Sequence, residues 1–235
     1  MTAVVIKNDG TVDPFGLYWL RDSKFQLMAS TRDGLEEVDG MNGAVDFGTE
    51  LEPFEITLEL INEGNLTQAQ KITLRDTVVG YLNNLREYGT LTWESDPTRI
   101  VAVRLNGKPT PYDIPGRFKI SVPLLCQPLW TGDTEHTLSG SGTATNAGTF
   151  ETGVKVTVVG PCTDPSVTIG SYTMTYTGTL TSSDTLIIDT GALTCTYNGV
   201  NALTFNGVFP KLEVGDNTVN ATGAVVTLTW YDCFL

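Results

Sequence analysis

A chain of 235 residues, 40% of them apolar, can bury a sizeable core as one large β domain or two small ones. No stretch approaches the roughly 18–20 apolar residues that span a bilayer, and MTAVVIKNDG has neither a basic start nor a long apolar run. Membrane insertion and a secretory signal are therefore not expected, and a net charge of −13 argues against nucleic acid as a bound partner, which needs a basic surface.

The chain opens with a strand pattern at residues 2–7 (TAVVIK), closed by the turn Asn8-Asp9-Gly10. Phe15–Trp19 and Lys24–Ala29 are further strand candidates, and Arg32-Asp33-Gly34 and Asp39-Gly40 read as turns because glycine and aspartate tolerate turn dihedrals. The stretch Asn42–Ile61 passes Gly43, Gly48 and Pro53, with Glu50 and Glu52 read as part of the turn before the strand, then alternates strictly. Phe54, Ile56, Leu58 and Leu60 share one face and Glu55, Thr57 and Glu59 the other, the pattern of a half-buried antiparallel strand.

One helix is predicted, over about residues 68–88. Thr67 and Gln70 form a capping box, and Leu74, Val78, Leu82 and Leu85 recur at helical spacing. Gly89 stands where a left-handed C-terminal residue is wanted, and Gly80 costs the helix roughly 1 kcal/mol relative to alanine. Strands are expected again at Thr90–Glu94, Ile100–Leu105 and Arg117–Leu125. Asn106-Gly107 reads as a hairpin turn, and Pro123 should lie near an edge or bulge.

Past Gln127-Pro128 the composition changes. Residues 1–130 carry 12 basic and 18 acidic side chains, whereas residues 131–235 carry 2 and 9, together with 24 threonines. That shift divides the chain into domains at 1–130 and 131–235. Residues 131–149 read either as a flexible linker or as polar strand and turn. Beyond them lie short strand patterns at Lys155–Val159, Val167–Ile169, Ser171–Tyr176, Thr185–Ile188, Leu193–Tyr197, Leu203–Phe205 and Val225–Trp230. Gly160-Pro161, Asn198-Gly199 and Gly215-Asp216-Asn217 serve as turns. Regular short strands without a helix predict an all-β sandwich, and dense threonine suits a pleated surface.

Catalytic chemistry finds little support. The lone histidine, His136, lies in a polar Gly/Ser/Thr stretch that would not tune it, and a Ser–His–Asp triad would have to use it. Glu55 and Glu59 share a strand face but stand about 13 Å apart at roughly 3.3 Å per residue, too far for either glycosidase geometry. Cys126, Cys162, Cys195 and Cys233 show no C-x-x-C spacing and read as free thiols. Asp184, Asp189, Asp216 and Asp232 form no calcium-loop motif. No catalytic, metal or cofactor site is assigned. Of the tryptophans that could line a sugar site, Trp93 and Trp230 fall inside strand patterns where core packing is expected.

Two stretches carry a resemblance. One is the run Glu52–Leu60 behind its glycine turns. The other is Phe205-Asn206-Gly207-Val208-Phe209-Pro210-Lys211-Leu212-Glu213-Val214-Gly215-Asp216-Asn217, an F-x-G-x-F-P-x-L-x-x-G-x-N pattern followed by a G-x-V-x-L strand. With Asn146-Ala147-Gly148-Thr149, Ile187-Ile188-Asp189 and the Cys126-Gln127-Pro128 crossover, they make the whole chain resemble the distal tail protein (Dit) family of long-tailed, siphovirus-type phages. Phe54 departs from the arginine many members carry after the proline. The resemblance implies a mainly β fold: an N-terminal, tail-tube-like, ring-forming domain with one helix, then a C-terminal galectin-like sandwich. It also implies a non-enzymatic homohexamer at the virion tail tip, assembled in the host cytoplasm. Such a ring would join the tail-tube protein to a tail-associated fibre or lysin hub protein, hold a receptor-binding protein in some relatives, and let DNA pass without specific binding. Glu50, Glu52, Glu55 and Glu59 become the candidate subunit-contact or lumen residues. The alternative function is a carbohydrate-binding sandwich that contacts the host surface.

Overall fold

A computed structural model describes residues 2–25, 29–37, 39–40, 42–222 and 225–235. It divides into two compact units, one through residue 130 and one over Thr131–Phe234. The first unit holds β1 (Ala3–Ile6), β2 (Thr11–Asp13), β3 (Leu17–Trp19), β4 (Lys24–Phe25), β5 (Thr31–Glu37), β6 (Ala44–Leu51), β7 (Phe54–Ile61), α1 (Gln68–Asn84), β8 (Gly89–Trp93), β9 (Asp96–Leu105), β10 (Thr110–Ile114) and β11 (Arg117–Cys126). The expected strand Lys24–Ala29 begins as β4, and its residues 26–28 lie outside the described residues.

Seven strands close on themselves in the order β11-β7-β3-β2-β1-β8-β9 and back to β11. All these pairs are antiparallel except β1–β8. The inward faces of these strands and one stripe of α1 form a single apolar cluster. Phe54, Ile56, Leu58 and Leu60 of β7 lie in it with Val78, Leu82 and Leu85, and Leu74 packs at its margin. The alternation of β7 is thus expressed as burial, with Glu55 exposed between Phe54 and Ile56.

The helix starts as the capping box requires. The Gln70 amide donates to Thr67 Oγ1 at 3.3 Å, and the Thr67 amide donates to Gln70 Oε1 at 2.9 Å. It ends earlier than expected, at Asn84 with Leu85 as cap. The reason is tertiary: the Leu85 carbonyl accepts from the Leu105 amide at 2.7 Å, so the end of β9 takes the place of the next helical donor. Gly89 is no left-handed cap. It belongs to β8, and a Cβ there would lie 2.2 Å from the Thr2 carbonyl oxygen, so close backbone approach requires the glycine.

Two other expected turns are strand instead. Arg32-Asp33-Gly34 lies inside β5, which pairs with β6 in a separate two-stranded ladder whose register shifts between Asp33 and Leu35. Glu50, expected in a turn, belongs to β6. Asn106-Gly107 joins no hairpin, because β9 pairs with β8 and β11 and not with β10. The hairpin is β10–β11, turned by Pro115-Gly116 with Gly116 at φ +71°. Pro123 lies in the middle of β11, opposite Thr57. On the other flank β10 pairs with residues 117–121 and β9 with 124–126. Pro123 falls in the gap between them, where a residue without an N–H is tolerated.

The second unit begins with β12 (Trp130–Gly132), which starts at the last residue of the first. It continues through β13 (His136–Ser139), β14 (Gly142–Asn146), β15 (Val154–Val159), β16 (Cys162–Thr163), β17 (Ser166–Ile169), β18 (Tyr172–Tyr176), β19 (Thr179–Leu180), β20 (Thr185–Asp189), β21 (Thr194–Tyr197), β22 (Val200–Asn201), β23 (Phe205–Gly207), β24 (Gly215–Thr222), β25 (Val225–Trp230) and β26 (Cys233–Phe234). Residues 131–149 are therefore mostly strand and turn. Two antiparallel sheets, β13-β25-β15-β20-β21-β22 and β14-β24-β17-β18-β23, contribute to one core. Val156, Leu186 and Leu228 come from the first sheet, and Val167, Met174 and Val219 from the second. Asn198-Gly199 makes the expected tight hairpin turn, with φ of 47° and 80°. Gly215-Asp216-Asn217 opens β24 instead of making a turn, because Asn217 bonds back to the preceding loop.

The helix analysis yields two expectations. Gly80 is exposed with nothing within 4 Å of a Cβ, so Gly80→Ala should stabilise the chain by about 1 kcal/mol, or about 2–4 °C in thermal unfolding. Leu82 is buried, so Leu82→Ala should cost about 2–5 kcal/mol by the same assay.

Candidate functional site

The four candidate acids stand in two places, and each is engaged within its own chain. Glu50, on β6, pairs with Arg32 of β5, both side chains well exposed. Glu52 follows β6. Its amide donates to the Ser30 carbonyl at 2.8 Å, and its carboxylate accepts from Ser30 Oγ at 3.3 Å. Glu55 and Glu59 share the polar face of β7. Glu55 is exposed and accepts from Asn106 Nδ2 at 2.6 Å. Glu59 is less open: its side chain retains 13% of its surface and lies 3.1 Å from Lys119 Nζ. Residues 31–52 carry seven acids against Arg32 alone, so this hairpin and its exit hold a dense share of the chain's negative charge. Phe54, where the resemblance leads one to expect an arginine, is buried in the barrel core.

His136 is better surrounded than its sequence neighbours suggest. Its ring stacks on Trp230 at 5.6 Å between centroids, and Nε2 lies 3.1 Å from Asp232 Oδ2. Cross-strand pairing of β13 with β25 places it there. No serine hydroxyl bonds the ring among the described residues. Asp232 also accepts from the Ala147 amide at 3.0 Å. The other acids weighed for calcium are dispersed: Asp189 accepts from the Ala192 amide, Asp216 from Thr145 Oγ1, and Asp184 from Thr181 and Asn198. Trp230 is buried, while Trp19 and Trp93 meet edge to face at 5.9 Å beside the first core. The four cysteines are free thiols, and burial raises Cys126 to about 12 and Cys195 to about 11.

The F-x-G-x-F-P-x-L-x-x-G-x-N run proves to be a packing device. Phe205 and Phe209 stack at 4.7 Å. Gly207 has φ +129°, and a Cβ there would lie 2.4 Å from the Thr173 carbonyl oxygen of the paired strand. Leu212 is fully buried. Asn217 Oδ1 accepts from the Glu213 amide at 3.0 Å, while Nδ2 donates to the Glu213 and Gly215 carbonyls. Asn146 does the same work at the N-x-G-T start. It is fully buried, donates to the Phe150 carbonyl at 2.8 Å and accepts from the Gly148 amide at 3.0 Å. Gly148 allows the chain to pass against the Cys233 carbonyl.

The comparisons agree with this architecture. Residues 147–234 match the family model described as siphovirus-type tail component, C-terminal domain. Over nearly the whole chain the fold is that of the SPP1 Dit protein (gp 19.1), with a TM-score of 0.72 and 18% identity over 93% of this chain and 94% of that one. That protein is described as a paradigm of the hub adsorption apparatus in phages infecting Gram-positive bacteria. A chain of the phage P2 baseplate in its activated conformation with calcium aligns with a TM-score of 0.44 and 11% identity, covering 88% of each chain. No curated protein sequence matches.

Asp184 offers a pH-dependent test. Hydrogen bonds from the Thr181 hydroxyl, Asn198 Nδ2 and the Thr181 amide hold its carboxyl well below the ordinary carboxylate range. The folded group stays ionised where the unfolded one takes a proton, so its stabilisation is present at neutral pH and lost as pH falls below about 4. Asp184→Asn should lower the melting temperature at pH 7 and flatten its decline between about pH 4 and pH 2.

Proposed function

We infer that the chain, a siphovirus-type tail component with the Dit fold, is a distal tail protein acting as a structural hub and not as an enzyme. One observation carries this: the tail-component family match over residues 147–234 coincides with likeness to SPP1 Dit over nearly the whole chain. On this reading residues 1–130 are the tail-tube-like domain, and six copies close it into a ring around the DNA path. Residues 131–235 are a galectin-like sandwich. The ring stands at the virion tail tip, assembled in the host cytoplasm. It joins the tail-tube protein to a tail-associated fibre or lysin hub protein and offers a seat for a receptor-binding protein.

Two features of the first unit support ring formation. β10 ends the barrel sheet, and among the described residues the β5–β6 ladder joins no larger sheet, so both present strand edges that a neighbouring copy can cover. The exposed acids Glu50 and Glu55, with Glu52 beside them, are the surface assigned to the subunit contact or the lumen. Six copies carry a formal charge of −78, six times −13, and a negative lumen repels phosphate and lets DNA slide past.

Native mass spectrometry of the full chain, alone and with its tail-tube and tail-associated partners, tests the assembly. A ring of about six copies is expected. A monomer that persists with both partners present would exclude the hub. The acids are tested by Glu50→Lys combined with Glu55→Lys. Glu59→Lys is unsuitable, since it sets a second cation beside Lys119 and perturbs the monomer itself. Loss of the ring from a folded double variant identifies a subunit contact, and intact rings with slowed DNA ejection identify a lumen surface. Intact rings with unchanged ejection remove the assignment.

A further inference from the structure

The second unit carries a cleft of about 320 Å³ at one end of its six-stranded sheet. A row of cross-strand neighbours runs through it. Lys155 of β15 lies opposite Asp189 of β20 on one side and Thr229 of β25 on the other. Val154 and Val156 face the core, so Lys155 and its two neighbours project from the outer face of the sheet. Glu135 and Tyr231 complete the lining, and Tyr231 retains 39% of its surface.

Opposite charges in direct register normally pair, yet the ion pairs among the described residues include no Lys155–Asp189 contact. Asp189 spends Oδ1 on the Ala192 amide at 2.8 Å, and Oδ2 has no partner among the described residues. Nor do the Lys155 amine, the Glu135 carboxylate and the Tyr231 hydroxyl. Among the described residues the cleft therefore presents an ammonium, the Glu135 carboxylate, one open oxygen of Asp189 and the Tyr231 hydroxyl. Groups of both kinds on one surface suit a ligand whose neighbouring hydroxyls each donate and accept. An anion would meet two carboxylates against one ammonium. A hydrocarbon would displace water from the ammonium and the carboxylates without offering them partners. The volume sits at the small end of the roughly 300–1,000 Å³ of ligand clefts.

We propose that this cleft binds a neutral sugar of one or two rings. Asp189 Oδ2 and Glu135 accept from its hydroxyls, Lys155 donates to a hydroxyl or ring oxygen, and Tyr231 covers an apolar ring face. The site stands on the second unit's own geometry and does not depend on ring assembly in the first. It gives a hub component direct contact with glycan.

The test titrates the full chain with lactose, maltose and N,N′-diacetylchitobiose, with inorganic phosphate as the anionic control, followed by tryptophan emission and saturation-transfer NMR. At least one sugar should bind with a Kd of about 1 mM or tighter. Asp189→Asn keeps an acceptor for the Ala192 amide, and Lys155→Gln keeps a donor. Each should weaken binding about fivefold or more, with melting temperature and native mass unchanged. Lys108→Gln, at an exposed lysine that does not line the cleft, should leave affinity unchanged. The site is overturned if all three sugars fail to bind at about 20 mM, a level well above any useful affinity. Phosphate binding more tightly than the sugars, or affinity unmoved in both cleft variants, overturns it equally.

Discussion

The first unit depends on one strand that serves three partners. β11 pairs with β7 along one flank for eight residue pairs, and divides the other flank between β10 and the end of β9. The pairing with β9 turns an open sheet into a closed circuit, and closure removes edges that would otherwise invite association. Pro123 marks the changeover. Because it cannot donate, no ladder bond is lost where one partner stops and the next begins. Closure also sets the end of α1, since the Leu105 amide that reaches the Leu85 carbonyl belongs to the strand that completes the circuit. Barrel, helix length and the position of the β7 acids are consequences of the same pairing.

The second unit rests on a different device, the close approach of backbones. A Cβ at Gly148 would lie 2.0 Å from the Cys233 carbonyl oxygen, at Gly160 2.0 Å from that of Thr181, and at Gly207 2.4 Å from that of Thr173. Each glycine lets two chain segments pass with no side chain between them. Two buried asparagines, Asn146 and Asn217, satisfy the backbone groups that such crowding leaves without ladder partners. The residues that make the C-terminal pattern recognisable are thus those that hold the sandwich's connections. They do not mark a chemical site, which explains how the pattern can identify a fold without indicating a ligand.

Legibility followed the range of the forces involved. The alternation of β7, the capping box at Thr67 and the Asn198-Gly199 turn depend on neighbours a few residues away, and all three were readable. The readings that failed depended on distant partners. Arg32-Asp33-Gly34 looks like a turn, but β6 recruits it into a bulged strand. Gly89 looks like a helix cap, but Thr2 fixes its role. Asn106-Gly107 looks like a hairpin, but β11 takes the pairing that β10 would have needed. His136 is the same case at a side chain: nothing near it in sequence suggests Trp230 and Asp232, which β25 and the residues after it supply. Glu55 and Glu59 were placed on one face correctly. The capture of Glu59 by Lys119 needed the β7–β11 register, in which Glu59 lies opposite Ser121 and Lys119 opposite Ile61.

The distribution of charge separates what the two units can recognise. Acids crowd the segment 31–52 of the first unit, a ladder outside the barrel whose side chains are largely exposed. A surface of one sign acts at a distance. It repels phosphate and attracts cationic neighbours without needing a shaped contact, and it weakens as salt rises. The outer face of the second unit's six-stranded sheet is different in kind. Thr157, Thr227 and Thr229 form a hydroxyl surface there, interrupted by Lys155 and Asp189, which stand opposite one another in register. Hydroxyls have no long-range field, so such a face discriminates only at contact, by the direction of its donors and acceptors. The threonine-rich composition that first divided the sequence is therefore also a division between long-range electrostatics and short-range hydrogen-bonded recognition.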